Sequence, residues 1–341
     1  MHEELLTSSY DYTLPQELIA TQPLYPRDSS KLLVYNRKKD TIIHTTFADI
    51  MEHIPSDCHN VFLNDTKVIK ARLFGNKSTG GKVELLLNKP LSSNHYSVYI
   101  KGRVKQNSVI EFDQNLSAKV EALKSDGSRI VSFYEHDAPI GFETLVLILD
   151  KIGHIPLPPY MQRDDNAQDE QDYQTLFASN AGAIAAPTAS LHFSDELFER
   201  FSQKYQLNKL TLHVGAGTFK PVEAKHILEH PMHSEYFNIP SASAKVLDGN
   251  EKILAIGTTV TRTVEYYTRT GKLSGECDLF LNPSNPPQRV NYLLTNFHLP
   301  KSTLIMLVSS FVGREKTLAL YHEAIKERYR FYSYGDAMLI I

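Results

Sequence analysis

Apolar and polar positions follow two different rhythms along this chain. Between Lys82 and Tyr134 the runs KVELLLN, HYSVYIKG, NSVIEFD, SAKVEAL and RIVSFY place β-branched or aromatic residues at period two. Successive strand residues point to opposite faces, so period two predicts half-buried strands. Lys89-Pro90, Gly102, Asn107 and Asp126-Gly127 separate the runs as turns. Five or six short strands at roughly 12-residue spacing predict a small β-barrel. After about Asp150 strand-like runs alternate with helical ones. KLTLHVGAGTF predicts a strand ending in a glycine turn, with His213 inside the strand. KILAIGTTVTRTVEYY predicts a strand, a turn at Gly257 and a helix. Ser194 is placed to cap a helix over DELFERFSQKYQ, with Asp195 and Glu196 in its first turn. Leu304, Leu307, Val308, Phe311 and Val312 follow helical spacing, as do Leu318, Tyr321 and Ile325. The closing AMLII reads as a buried strand, and KLLVYNR and VFLNDTKV as further strands of the same unit. Alternating strands and helices predict an α/β domain. The expected fold is therefore α/β with two domains. An α/β domain with a mixed sheet spans 1–63 and 151–341, and a small β-barrel domain is inserted over 64–150.

Composition narrows the class. At ~100–200 residues per domain, 341 residues suit two domains. Two cysteines, Cys58 and Cys277, exclude a disulfide scaffold and a Cys-rich zinc module. MHEELLTSSYDYTLP has no signal-peptide core, and no apolar run approaches the ~20 residues that span a bilayer. A cytoplasmic protein with no membrane partner is expected. The formal net charge is −3, which by itself argues against a uniformly basic nucleic-acid binder. The mean hides a patch. From Asn64 to Lys105 nine bases face only Asp65 and Glu84, a local charge of +7 that leaves −10 elsewhere. Such a stretch is either a solvated barrel face whose lysines guard strand edges or a site for a polyanion. RDDNAQDEQD, from Arg163 to Asp172, holds five acids and reads as a solvated loop.

Several familiar signatures come close and miss. Gly75, Gly80, Gly81 and Lys82 are off by one from a phosphate loop, and Val83 stands where Ser or Thr would hold magnesium. Gly215-Ala216-Gly217 lacks the third glycine of a dinucleotide fingerprint. His226, His230 and His233 have metal-like spacing, but Pro231 interrupts them, and no metal site is expected. His233-x-Glu235 has no PCxxC partner of the zinc deaminases. No GxSxG elbow is present. What remains is a set of long polar-rich strings. They are RDSSKLL, LNDTKVIKARL, TGGKVELLL, GHIPLPPY, AAPTASLHF, LTLHVGAGTFKPV, HPMHSEYF, AIGTTVTRT, LLTNFHLPKSTL and YRFYSYGDAML.

Taken together and in this order, these strings closely resemble the S-adenosylmethionine:tRNA ribosyltransferase-isomerase family, the QueA family. The resemblance covers nearly the whole chain, and HVGAGTF and TNFHLPKSTL are its most specific parts. There are departures. The family's GTTSVRTLE reads GTTVTRTVE here, with Arg262 in place, and Asn291 stands near the usual acid before LLTNF. The resemblance implies an α/β domain with an inserted β-barrel. It implies transfer and isomerisation of the ribosyl part of S-adenosylmethionine onto 7-aminomethyl-7-deazaguanine at the tRNA wobble position. The products would be epoxyqueuosine-tRNA, adenine and methionine. S-adenosylmethionine is then a substrate, and no permanently bound cofactor is expected. The rival readings are another S-adenosylmethionine-dependent enzyme such as an RNA methyltransferase, and a non-catalytic RNA-binding module. The methyltransferase-like glycine loop with its downstream acid is missing.

In the mechanism implied by the family, a base removes a proton next to the sulfonium and the ylide expels adenine. The aminomethyl nitrogen then attacks the sugar fragment, and epoxide formation and ring closure release methionine. No step requires a metal or a redox cofactor. The base should titrate near neutrality, which favours His or a shifted carboxylate. His213, His233 and Glu235 are the leading acid–base candidates, followed by His192 and His298. A strand histidine such as His213 is equally readable as a satisfied core residue. Gly257-Thr258-Thr259 opens a helix, so its free N–H groups and the Thr258 and Thr259 hydroxyls suit an anion such as the methionine carboxylate. Arg262, one turn on, is placed to add a bidentate contact. Gly215 and Gly217 allow close backbone approach to adenosine or the target base. The alternative for these two turns is a tight αβ connection with a capped helix. Arg27, Lys67, Arg72, Lys77 and Lys82 are the candidate tRNA phosphate contacts. Tyr329, Phe331, Tyr332 and Tyr334 are placed either to stack on a splayed base or to fill the core. Nothing in the sequence demands more than a monomer.

Overall fold

The computed structural model describes residues 3–91, 94–219 and 221–341. Strands β1 (Lys31–Asn36) and β2 (Thr41–Thr46) pair antiparallel. A one-turn helix α1 (Ile50–His53) leads into β3 (Cys58–Asn64), and β4 (Thr66–Val68) follows one residue later. The chain then leaves the sheet to build β5 (Arg72–Lys77), β6 (Lys82–Pro90), β7 (His95–Lys101), β8 (Val109–Glu111), β9 (Leu116–Leu123) and β10 (Arg129–Glu135). All neighbours are antiparallel. β10 pairs with both β7 and β9, which closes six strands into a barrel among the described residues. The period-two pattern is the cause. Val83, Leu85 and Leu87 of β6 point inward, and the residues between them, Glu84 and Leu86, are half-buried on the other face. A short β11 (Ala138–Pro139) pairs antiparallel with the end of β10, and helix α2 (Phe142–Ile152) packs Leu145, Ile148 and Leu149 into the barrel core. NSVIEFD gives only the three residues of β8, the shortest strand in the ring.

The remaining elements return to the sheet. They are α3 (Asp169–Asp172), β12 (Asn180–Ala183), α4 (Asp195–Lys204), β13 (Gln206–Leu212), β14 (Glu235–Asn238), α5 (Ser241–Leu247), β15 (Lys252–Ile256), α6 (Thr258–Thr270), β16 (Ser274–Cys277), β17 (Tyr292–Asn296), α7 (Thr303–Val312), α8 (Arg314–Lys326) and β18 (Ala337–Ile340). The large sheet runs β16-β14-β13-β3-β15-β17-β18-β1-β2, and β12 pairs with β4 beside it. Its centre, β13-β3-β15-β17, is parallel, whereas β17–β18 and both edges are antiparallel, so the sheet is mixed. Strands buried on both faces read as continuous apolar runs. In β1, Leu33 and Tyr35 join the core under α6, α7 and α8, while Leu32 and Val34 join the opposite core against α4. Among the described residues no helix is long and apolar enough to cross a membrane.

Two readings are corrected. The acidic segment is not a solvated loop: Asp169 and Asp172 are buried, ion-paired to Arg163 and Arg27 at 2.6 and 2.9 Å. Buried carboxylates need such partners, and here one is local and one distant. His213 is not inside a strand. β13 ends at Leu212, and His213 lies just past it, still donating its N–H to the Tyr236 carbonyl at 2.9 Å. Of the four C-terminal aromatics, Tyr329 and Phe331 pack with Phe297 in the core, and Tyr332 lines a cavity.

Candidate active site in the cleft beside the barrel

The segment from His213 to Gly217 leaves the end of β13 and runs between the sheet and the barrel, with cavities around it. A cavity of about 470 Å³ is lined by His213, Gly215, Gly217, His233 and Glu235, and by Asn88, Lys89 and Tyr99 of the barrel. A second, of about 660 Å³, holds Arg72, Glu84, Lys101 and the prolines Pro156, Pro158 and Pro159, and shares Tyr99 with the first. A third, of about 80 Å³, lies on the other side of Val214 and is lined by Thr258, Thr259, His298 and Tyr332.

Glu235 organises the first cavity. It opens β14 and is 2 % exposed. One carboxylate oxygen accepts the Gly215 N–H at 2.9 Å, and the other accepts from Arg262 Nη1 at 2.5 Å. His233 Nε2 stands 3.8 Å from the same carboxylate. A Cβ on Gly217 would sit 3.0 Å from the His233 ring, a tight approach that the ring would have to give way to. On the facing wall, Asn88 Oδ1 accepts the Ala216 N–H at 3.4 Å, and Lys89 spans to Ser234 and Glu276 at 3.1 and 3.0 Å. Asn88 lies on the same outward face of β6 as Glu84 and Leu86, and the strand's register shifts just there, between Leu87 and Lys89. His213 is held by Thr66, whose Oγ1 is 2.8 Å from Nδ1, and it stacks on Tyr236 at 5.9 Å. Burial lowers its pKa, so the ring is neutral near pH 7.

The histidines thus separate. His213 and His233 line the cleft with Glu235. His192 is walled in: Nδ1 meets Ser30 Oγ at 2.9 Å, Nε2 meets Asn296 Oδ1 at 3.0 Å, and Phe47 stacks on it at 4.9 Å. Burial pushes its pKa down to about 4. His298 is pushed down to about 3 by burial, with Nε2 2.8 Å from Thr295 Oγ1. His230 turns its edge to Phe280 and does not join His233.

The proposed donor-binding residues are also divided. Gly215 and Gly217 line the first cavity, and Thr258 and Thr259, at the start of α6, line the third. Asn64 links the two sides, accepting the Leu212 N–H at 3.0 Å and donating to Thr259 Oγ1 at 3.3 Å. Arg262 is not a clamp at the Gly257 turn. Its guanidinium is committed to Glu235 and to the carbonyls of Leu279 and Cys277 at 3.1 and 3.3 Å, so it supports the carboxylate from behind. The phosphate candidates differ as well. Lys67 and Lys82 are exposed, and Lys77 donates to the Arg103 carbonyl at 3.1 Å. Arg72 is paired with Glu84 and Asp164, and Arg27 with Asp172 away from the barrel. The supports Asn64 and Thr66 and the barrel residues Asn88 and Tyr99 are not singled out by the sequence, and Lys89 is read there only as part of the basic stretch. Their one signal is polarity where a strand pattern breaks off.

A family described as "Queuosine biosynthesis protein" matches residues 7–340. The chain is 64% identical over its whole length, and that of the relative, to an S-adenosylmethionine:tRNA ribosyltransferase-isomerase of Aliarcobacter butzleri. A protein of the same name from Nitratiruptor is 58% identical over the full length of both chains. A crystal structure of an S-adenosylmethionine tRNA ribosyltransferase from Thermotoga maritima is 32% identical, covers 98% of this chain and 100% of that one, and superposes with a TM-score of 0.55. Matched by the family from residue 7 to residue 340, the chain belongs to the queuosine biosynthesis proteins.

Proposed function

We propose that this protein transfers and isomerises the ribosyl moiety of S-adenosylmethionine onto 7-aminomethyl-7-deazaguanine at the tRNA wobble position, forming epoxyqueuosine-tRNA, adenine and methionine. The observation that carries the reading is the cleft in which His213, His233 and Glu235 meet beside a basic barrel. In this reading 64–150 is an inserted domain that presents positive charge to RNA, and 1–63 with 151–341 is the catalytic domain. The protein acts as a cytoplasmic monomer.

The assignment of roles follows from access. His213, neutral and at the cleft, takes the proton from the carbon next to the sulfonium. The electron pair left behind forms a C4′–C5′ double bond and breaks the C4′–O4′ bond, the ring oxygen becomes the C1′ carbonyl as the C1′–N9 bond breaks, and the departing adenine gains a proton from His233, with Glu235 beside it to stabilise the charged ring. The Thr258 and Thr259 hydroxyls and the α6 N-terminus face the methionine carboxylate. His192, walled into the core, acts as frame, and His298 lines the third cavity beside Thr258 and Thr259. Incubating the protein with S-adenosylmethionine and tRNA carrying 7-aminomethyl-7-deazaguanine should release free adenine and methionine. Release of S-adenosylhomocysteine would instead support a methyltransferase, and binding without turnover an RNA-binding module.

A further inference from the structure

The His213 ring is fixed on three sides by residues outside the acid–base set. Thr66 lies in β4, is fully buried, and places Oγ1 2.8 Å from His213 Nδ1 and 3.5 Å from the Asn180 carbonyl. Asn64 ties Thr66 to the end of β13: its Oδ1 accepts the N–H of both Thr66 and Leu212, at 3.2 and 3.0 Å. One face of the imidazole rests on Gly182, where an added Cβ would lie 2.8 Å from Cε1 and Nε2. Tyr236 stacks on the ring with planes 21° apart.

These contacts favour one direction of the hydrogen bonds. A carbonyl only accepts, whereas a hydroxyl donates once and accepts as well. The chain that satisfies all three atoms runs from His213 Nδ1–H to Thr66 Oγ1, and from the Thr66 O–H to the Asn180 carbonyl. We infer that Thr66 is a positioning residue, holding His213 in the tautomer that is protonated on Nδ1 and leaves the Nε2 lone pair for the substrate. This deepens the reading of His213 as the base and rests on it. The tautomer matters because burial keeps the ring neutral near pH 7. An Nε2–H tautomer would present a proton where the reaction needs a lone pair.

The test is ¹⁵N NMR of the full-length protein labelled at histidine, with His213 assigned by His213→Gln. The wild-type ring should show a protonated Nδ1 and an unprotonated Nε2. Thr66→Val keeps the branched shape and removes the hydroxyl. It should convert His213 to a mixture of tautomers and lower kcat roughly tenfold to a hundredfold, with KM for S-adenosylmethionine within about twofold. Thr66→Ser should restore both. A wild-type Nε2–H tautomer, or an unchanged ring in Thr66→Val, would overturn the inference. The wild-type spectrum decides the point even if Thr66→Val folds poorly. Full turnover by His213→Gln would instead remove His213 as the base and leave the tautomer result standing.

Discussion

Glu235 binds the residues of the cleft to one another. It meets the Gly215 N–H, the Arg262 guanidinium and the His233 ring, and it is almost wholly buried. Removing its charge leaves Arg262 buried without its counter-ion. Glu235→Gln should therefore cost about 3 kcal/mol in urea denaturation and abolish adenine release. Arg262→Lys should fail similarly, because an ammonium cannot reach the carboxylate and two carbonyls with one planar fork. A different residue-scale effect belongs to His192, the histidine walled into the core. His192, facing Ser30, Asn296, Phe47 and the nearby Arg27 and Arg330, titrates at about 4 in the fold, against 6.5 when exposed. Its folded pKa is depressed, so the unfolded chain binds the proton first. Stability is then full above pH 6.5 and falls as pH drops toward about 4. Urea titrations across that window should show the loss, and His192→Gln should flatten it. The sequence exposes all these histidines as candidates and cannot sort them. Desolvation is a property of the packed neighbours, and Phe47 and Asn296 are far from His192 in the chain.

At the scale of elements, local chemistry was legible and long-range pairing was not. Ser194 caps α4 as its position suggested: its Oγ accepts the Leu197 N–H at 3.2 Å and donates to Asp28 at 2.7 Å. Ser194→Ala should lower stability by about 1 kcal/mol, measured by denaturant midpoint at constant slope. The turn at Gly257 was equally plain, with a strand before it and a helix after. The barrel strands were readable because each carries its own inward face. The acidic segment looks like a loop in the sequence because its burial depends on Arg27, 145 residues from Asp172. Glu265 makes the same point. It lies on α6, fully buried, and accepts the N–H groups of Gln288, Arg289 and Val290 at 2.8 Å each. One carboxylate thereby shapes the loop that leads through Asn291 into β17. Asn291, near the usual acid, instead accepts the Ile253 N–H at 3.0 Å and joins the loop to β15.

For the whole molecule, the decisive quantity is how charge is distributed. A chain of net −3 folds with its +7 stretch on and around the barrel, next to the cleft. Not every base there is equally available. Arg72 is occupied by Glu84 and Asp164, and Lys89 by Glu276. Lys67 is exposed on β4, one residue from Thr66, and Lys77 ends β5 beside the Arg103 carbonyl. A polyanion that places one nucleotide in the cleft would run its backbone past these lysines. Each phosphate contact releases condensed counterions, so affinity falls with log salt by about 0.7 per contact for a single strand. Lys67→Glu and Lys77→Glu should each weaken tRNA binding and reduce the salt slope by roughly 0.7 to 1. Fluorescence anisotropy with labelled tRNA over a series of salt concentrations measures both. Lys39→Glu, in the β1–β2 turn at the far edge of the sheet, should leave the slope unchanged. If all three variants keep the wild-type slope, the barrel's charge is a solvated face, and RNA approaches the cleft from another side.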